Sequence, residues 1–134
     1  VGGAQLAEAV GRVGRALAAT AADRRGAWLF DPAHEAAASE LALATERDGR
    51  IVTARIDRTF IDRDGVRWIV DYKTSAHEGT DLEAFFDREL VRYRPQLERY
   101  AALVAAREPD RPIRLGLYFA LHGGWREWPR GAAT

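Results

Sequence analysis

Residues 51–73 read IVTARIDRTFIDRDGVRWIVDYK, and the register of this stretch decides what the chain can be. Two runs rich in Ile, Val, Thr, Phe, Trp and Tyr flank Asp62-Arg63-Asp64-Gly65. That is the composition of two strands joined by a tight turn. Loop length sets which side chains meet. A two- or four-residue loop pairs Asp57 with Val70 or another even-numbered residue, and sends Asp57 and Asp71 to opposite faces. A three-residue loop, Arg63-Asp64-Gly65, is a type I turn closed by a left-handed residue, a place that glycine fills at least cost. In that register Asp57 lies directly across from Asp71.

One face then collects Ile56, Phe60, Val66, Trp68, Val70 and Tyr72, with Arg58 out of place. The other collects Asp57, Asp71 and Lys73. Opposed residues have Cβ atoms about 4.5–5.5 Å apart, so two carboxylates there repel unless a cation lies between them. A divalent metal answers this economically, since two aspartate oxygens and water suit magnesium or manganese. Lys73 then points at whatever the metal holds. The same three residues also fit a plainer arrangement, a salt bridge between Lys73 and either aspartate on a solvated sheet face. Lys73 stands out further as the one lysine beside nineteen arginines. Together with the abundant alanine, this bias suits a GC-rich genome, in which a position tolerating either cation drifts to arginine.

Working outward, Leu41 and Leu43 alternate with alanines from Glu40 to the Asp48-Gly49 turn, which makes the hairpin a three-stranded antiparallel meander. Further upstream, Leu6, Val10, Val13 and Leu17 form one apolar stripe and predict a helix over 4–21, weakened slightly by Gly11 and Gly14. Asp23 to Pro32 reads as a connection whose Trp28 and Leu29 pack on the core. The alanine-rich Ala33–Ser39 reads as a short helical turn after Pro32. Downstream, residues 82–91 read as a short helix, and Pro95 fits the first turn of a second one running to Arg107 with Leu97, Ala101 and Val104 inward. Pro109 and Pro112 end it. Ile113–Ala120 is an apolar strand, Gly123-Gly124 a turn, and Trp125–Trp128 a last short strand. The expected architecture is α/β, a mixed sheet of about five strands flanked by helices. It is one domain over 1–134, with a helical segment over 1–39 ahead of a core over 40–128.

Composition narrows the classes of function. The 134 residues suffice for one domain with a modest core, and 47% hydrophobic with 30% charged residues is a globular profile. With no cysteine, disulfides, zinc–thiolate sites and iron–sulfur clusters are excluded. The apolar stretch around Leu115–Leu121 is far short of the roughly 18 residues that suggest a membrane span, and no signal-peptide pattern opens the chain. Starting at Val1 and lacking methionine, it reads as a piece of a longer polypeptide. A net charge of zero leaves nucleic acid to be bound by a local basic surface, not by bulk charge.

Ile56-Asp57, a hairpin and then Trp68-Ile69-Val70-Asp71-Tyr72-Lys73-Thr74 resemble the restriction-endonuclease-like core of PD-(D/E)XK nucleases. Tyr93-Arg94-Pro95-Gln96-Leu97-Glu98-Arg99-Tyr100 resembles the Q-x-x-x-Y motif of their RecB-like branch. The similarity runs from about Glu40 to Trp128. It is strongest for the C-terminal nuclease domain of AddA- and RecB-type helicase-nucleases, the exodeoxyribonuclease V beta subunits.

This resemblance implies a magnesium-dependent deoxyribonuclease, with manganese as the alternative ion. It makes Asp57 and Asp71 the metal carboxylates, the Tyr72 backbone carbonyl a further ligand, and Lys73 the group that orients the attacking water and offsets transition-state charge. Gln96 and Tyr100, one helical turn apart, reach the phosphate backbone or brace the lysine. Glu40 is an accessory candidate, because relatives often carry a glutamate near the first strand. Arg94 and Arg99, with Arg88 and Arg92, supply phosphate contacts, or else form a salt-bridged helix surface with Glu89 and Glu98. The implied setting is bacterial, cytoplasmic and nucleoid-associated. There the domain works on single-stranded DNA from a helicase motor on the same polypeptide, in double-strand break repair, beside an AddB- or RecC-like subunit. The missing cysteines favour the AddA or RecB side, because AddB-type and CRISPR-adaptation relatives carry an iron–sulfur cluster. One departure stands: relatives usually place a metal-binding histidine on a helix ahead of the first strand, and the 4–21 helix has none. His34, His77 and His122 read as ordinary surface or loop histidines. The rival reading is a catalytically inactive module that keeps this fold for DNA binding or subunit contact; a sequence-specific restriction endonuclease would lack the Q-x-x-x-Y helix.

Overall fold

The computed structural model describes residues 23–74, 77 and 79–132; the helix expected over 4–21 lies outside them. Asp23 caps the short helix α1 (Arg24–Leu29), its carboxylate accepting from the Gly26 N–H at 3.1 Å, as N-cap aspartates do. Strands β1 (Glu35–Arg47), β2 (Arg50–Ile61) and β3 (Arg67–Lys73) form the antiparallel meander. Helix α2 (Leu82–Arg107) then carries the chain back to β4 (Ile113–Phe119), which pairs parallel to β3, and β5 (Gly124–Pro129) closes antiparallel to β4. The result is a five-stranded mixed sheet in the order β1-β2-β3-β4-β5.

The hairpin takes the three-residue turn. Arg58 pairs with Val70 and Ile61 with Arg67, and Gly65 sits at φ +81°. Asp62 makes the turn from both sides, its Oδ1 accepting from the N–H groups of Asp64 at 2.9 Å and Val66 at 3.0 Å, a local use of aspartate that favours turns over strands.

Each sheet face has its own core. Under α2, Ile56, Ile69, Leu115, Leu117 and Phe119 meet Phe86, Leu97, Ala101 and Val104. On the α1 face, fully buried Leu29 packs with Phe60, Trp68, Val70 and Tyr118. Trp28 stands edge-on to Trp68 at 5.0 Å and to Trp125 at 5.8 Å. Arg67 ties the layers together. It is buried, and its guanidinium donates to both carboxylate oxygens of Glu108 at 2.8 Å. This bidentate pair locks the C-terminal cap of α2 to the start of β3.

Three expectations are corrected. Ala33–Ser39 does not form a helical turn: β1 begins at Glu35, ahead of the expected core start at 40, because pairing with the buried end of β2 outweighs the helix preference of alanine. Residues 82–107 form one helix with Pro95 inside it, not two. Pro95 and Val91 both lie on the exposed side, so the Val91 carbonyl that loses its N–H partner faces water, and packing along the other side carries the helix through.

The third correction concerns Ile56, which packs under α2 with Leu41 and Leu43 and not beside Phe60 and Trp68. The inward positions of β2 run Ala54, Ile56 and then Thr59 and Ile61, so the alternation breaks at Asp57-Arg58. Across the ladder Glu40 adopts φ +51°, between the pairs Ser39–Arg58 and Leu41–Ile56. A left-handed residue there twists both strands together and re-aims the side chains beyond it. Arg58, which looked misplaced, donates to the Leu29 carbonyl at 2.9 Å and the Ser39 hydroxyl at 3.1 Å.

Candidate metal and active site

The twist opens the sheet where the carboxylates lie. The β2–β3 ladder runs from Ile61–Arg67 only to Arg58–Val70, and beyond it the Asp57 side chain takes over from backbone, its Oδ2 accepting the Tyr72 N–H at 2.9 Å. On β3 the Arg67 N–H and the Lys73 carbonyl bond toward β4, to the Pro112 carbonyl and the Ala120 N–H. The Trp68 carbonyl and Tyr72 N–H bond toward β2. Strand alternation therefore turns the Tyr72 carbonyl into the same gap as Asp57.

Asp57 and Asp71 lie within hydrogen-bonding reach of each other, and Lys73 Nζ is 2.5 Å from Asp71 Oδ2. Neither Asp71 nor Lys73 is on a solvated face, since each side chain is only 13% exposed. They sit under α2, whose Tyr93 ring lies with its centroid 3.1 Å from the ammonium. Burial first, and then the adjoining Asp71 carboxyl, push Asp57 up to about 6 against the opposing pull of the Tyr72 N–H and Lys73. Two hard carboxylates, one of them held reluctant to ionise by burial and by the other, and a carbonyl turned into the gap fit a hard divalent cation.

The remaining expected residues divide. Gln96 Nε2 donates to the Tyr100 hydroxyl at 2.9 Å, and their helical spacing puts both on the same side of α2 as Tyr93. Arg94 faces elsewhere, donating to the Ala132 carbonyl at 2.7 Å with its guanidinium over Trp128. Arg99 is exposed beside the Tyr100 ring, and Arg88 and Arg92 are exposed too. Glu40 lies mid-strand across from Asp57, not at a strand start, and its carboxylate makes an exposed 3.5 Å pair with Arg55. His34 stacks on Phe60 at 3.9 Å, while His77 stacks on Phe85 and donates its backbone N–H to His122 Nε2 at 3.1 Å. Among the described residues no third His, Cys, Asp or Glu joins the two aspartates in a metal-holding group. The residue that sequence reasoning passed over is Tyr93. Its signal was its place one helical turn before Gln96.

Two aspartates and a lysine thus stand together at the splayed end of a hairpin. The profile of the PD-(D/E)XK nuclease superfamily matches residues 3–126. The chain belongs to that superfamily. No curated protein matches it. This PD-(D/E)XK chain has, among its described residues, no helix long and apolar enough to cross a membrane.

The Asp57 carboxyl sets a pH dependence for the metal-free PD-(D/E)XK fold. With its folded value raised from 3.8 to about 6, the folded state keeps a proton that the unfolded chain gives up. Stability therefore falls as pH rises from about 4 to about 6. A shift of two units is worth about 3 kcal/mol unscreened; solvent reaching the half-exposed group leaves about 1 kcal/mol. With chelator present, Asp57→Asn is expected to be about 1 kcal/mol more stable than wild type at pH 7.5 and equal to it at pH 4. Urea melts at the two pH values check this, and a wild type as stable as the variant at pH 7.5 refutes it.

Proposed function

We propose that the chain is a metal-dependent DNA exonuclease domain, the nuclease part of a RecBCD/AddAB-type helicase-nuclease acting in double-strand break repair. The observation that carries this reading is the Asp57–Asp71–Lys73 cluster at the gap between β2 and β3. Asp57, Asp71 and the Tyr72 carbonyl would hold the ion. A divalent ion bound there supplies a Lewis acid for the scissile phosphate and a water of lowered pKa. Lys73 presents the charge that would orient the attacking water and offset charge on the phosphate in the transition state. Gln96 and Tyr100 offer an amide and a hydroxyl to the phosphates of a passing strand, with exposed Arg99 beside them. The Q-x-x-x-Y spacing supports the RecB-like assignment, and with it single-stranded DNA delivered by a motor on the same polypeptide next to an AddB- or RecC-like subunit.

The two-carboxylate site, without a third acidic or histidine side chain among the described residues, also favours a second reading, a module that binds DNA without cutting. Calorimetric titration of magnesium and then manganese separates the two. The nuclease reading expects heat that disappears in Asp57→Ala and Asp71→Ala. It also expects release of mononucleotides from end-labelled single-stranded DNA at millimolar metal. DNA binding with no metal uptake and no release would establish the module instead.

A further inference from the structure

We propose that Tyr93 is a positioning residue for Lys73: its ring face holds the ammonium against Asp71, so the cation is aimed before substrate arrives. This rests on the nuclease reading above. The Lys73 Nζ lies 3.1 Å from the centre of the Tyr93 ring and 2.5 Å from Asp71 Oδ2. Lysine is a point charge on a flexible four-carbon stem, with no planar fork to fix its direction. Two partners on different elements supply that direction, a carboxylate on β3 from one side and an aromatic face on α2 from the other. The negative face of an aromatic ring attracts a cation most strongly where water is scarce, and here the lysine side chain is largely buried. A second cation, Arg92, stands 5.1 Å from the same ring centre, but it is exposed and solvent screens it. The contact needs the ring and not the hydroxyl, so phenylalanine should replace Tyr93 and an aliphatic residue of similar bulk should not.

Lys73 is the one lysine of the chain, so lysine labelled with 13C at Cε reports this site in a single NMR signal. In wild type the Tyr93 ring current is expected to shift the Lys73 Hε protons upfield. Tyr93→Phe is expected to keep that shift and a kcat within about threefold of wild type. Tyr93→Leu is expected to lose the shift and about tenfold in kcat, equivalent to about 1.4 kcal/mol of barrier, with KM and metal affinity unchanged. Arg92→Ala, which removes the other cation near this ring, should leave the Lys73 shift in place. If the leucine variant does not fold, Tyr93→Met takes its place. A leucine or methionine variant that keeps the shift and the rate overturns the proposal, as does a phenylalanine variant that loses as much as leucine. A wild type that shows the shift but never cuts DNA removes the nuclease reading and leaves the ring contact standing. A wild type that cuts, with Tyr93→Leu cutting equally well, removes this inference alone.

Discussion

Asp71→Ala is expected to lower DNA hydrolysis by at least about 1,000-fold while the domain stays folded. On the proposed nuclease reading, the rate loss follows from removing one of the two carboxylates that would hold the ion, and with the ion the Lewis acid on the reacting phosphate. The fold survives because the change removes a carboxyl crowded against Asp57, a like-charge contact that costs stability. It also takes the ion-pair partner from the Lys73 ammonium, leaving it the Tyr93 ring and the Asp57 carboxylate. These effects oppose each other, and the melting temperature should move little. Lys73→Ala should match the loss of rate but not the stability, since it leaves two half-buried carboxylates facing each other with no cation. It should melt lower, and magnesium should restore part of the difference. Single-turnover cleavage of single-stranded DNA and thermal melts with and without magnesium measure both. Wild-type cleavage by either variant would move the chemistry elsewhere in the fold.

Gly116→Ala is expected to cost about 2–3 kcal/mol, a fall in Tm of about 10 °C. Gly116 is buried on β4, and a Cβ there would fall on the Trp125 indole, 2.8 Å from its Cζ2. The indole cannot swing aside cheaply. Trp28 meets it edge-on at 5.8 Å, Trp68 lies at 5.9 Å, and the Arg25 guanidinium stands 4.7 Å from its centre. A rigid ring among rigid rings passes strain to the sheet instead of absorbing it. Coupling is the check. In the double variant Gly116→Ala/Trp125→Leu the alanine should cost much less than it does alone. Equal cost in both backgrounds would place the strain in the β4 backbone.

The hairpin shows why part of this protein was legible. Turn chemistry is local: Asp62 and Gly65 settle the loop within a few residues, and every pair along the ladder follows. The core positions of α2 were legible in the same way, because Leu97, Ala101 and Val104 repeat at helical spacing and all three are buried. The start of β1 was not, since Ala33–Ser39 has the composition of a helix and becomes strand only by pairing with distant Ile61 and Thr59. The continuity of α2 through Pro95 depends likewise on which side faces water. The break in alternation at Asp57-Arg58 needs two strands twisting together, and no window of one strand contains it.

By itself the sequence determined the hairpin register, and with it which carboxylates and which cation share a site, because a loop length and a glycine decide pairing over short distances. Only the tertiary structure decided how that site is enclosed. The parallel β4, the uninterrupted α2 and the Arg67–Glu108 lock bring Tyr93 onto Lys73 and take both aspartates partly out of water. Those contacts join residues far apart in the chain, and packing, not local preference, selects among the ways such residues can meet.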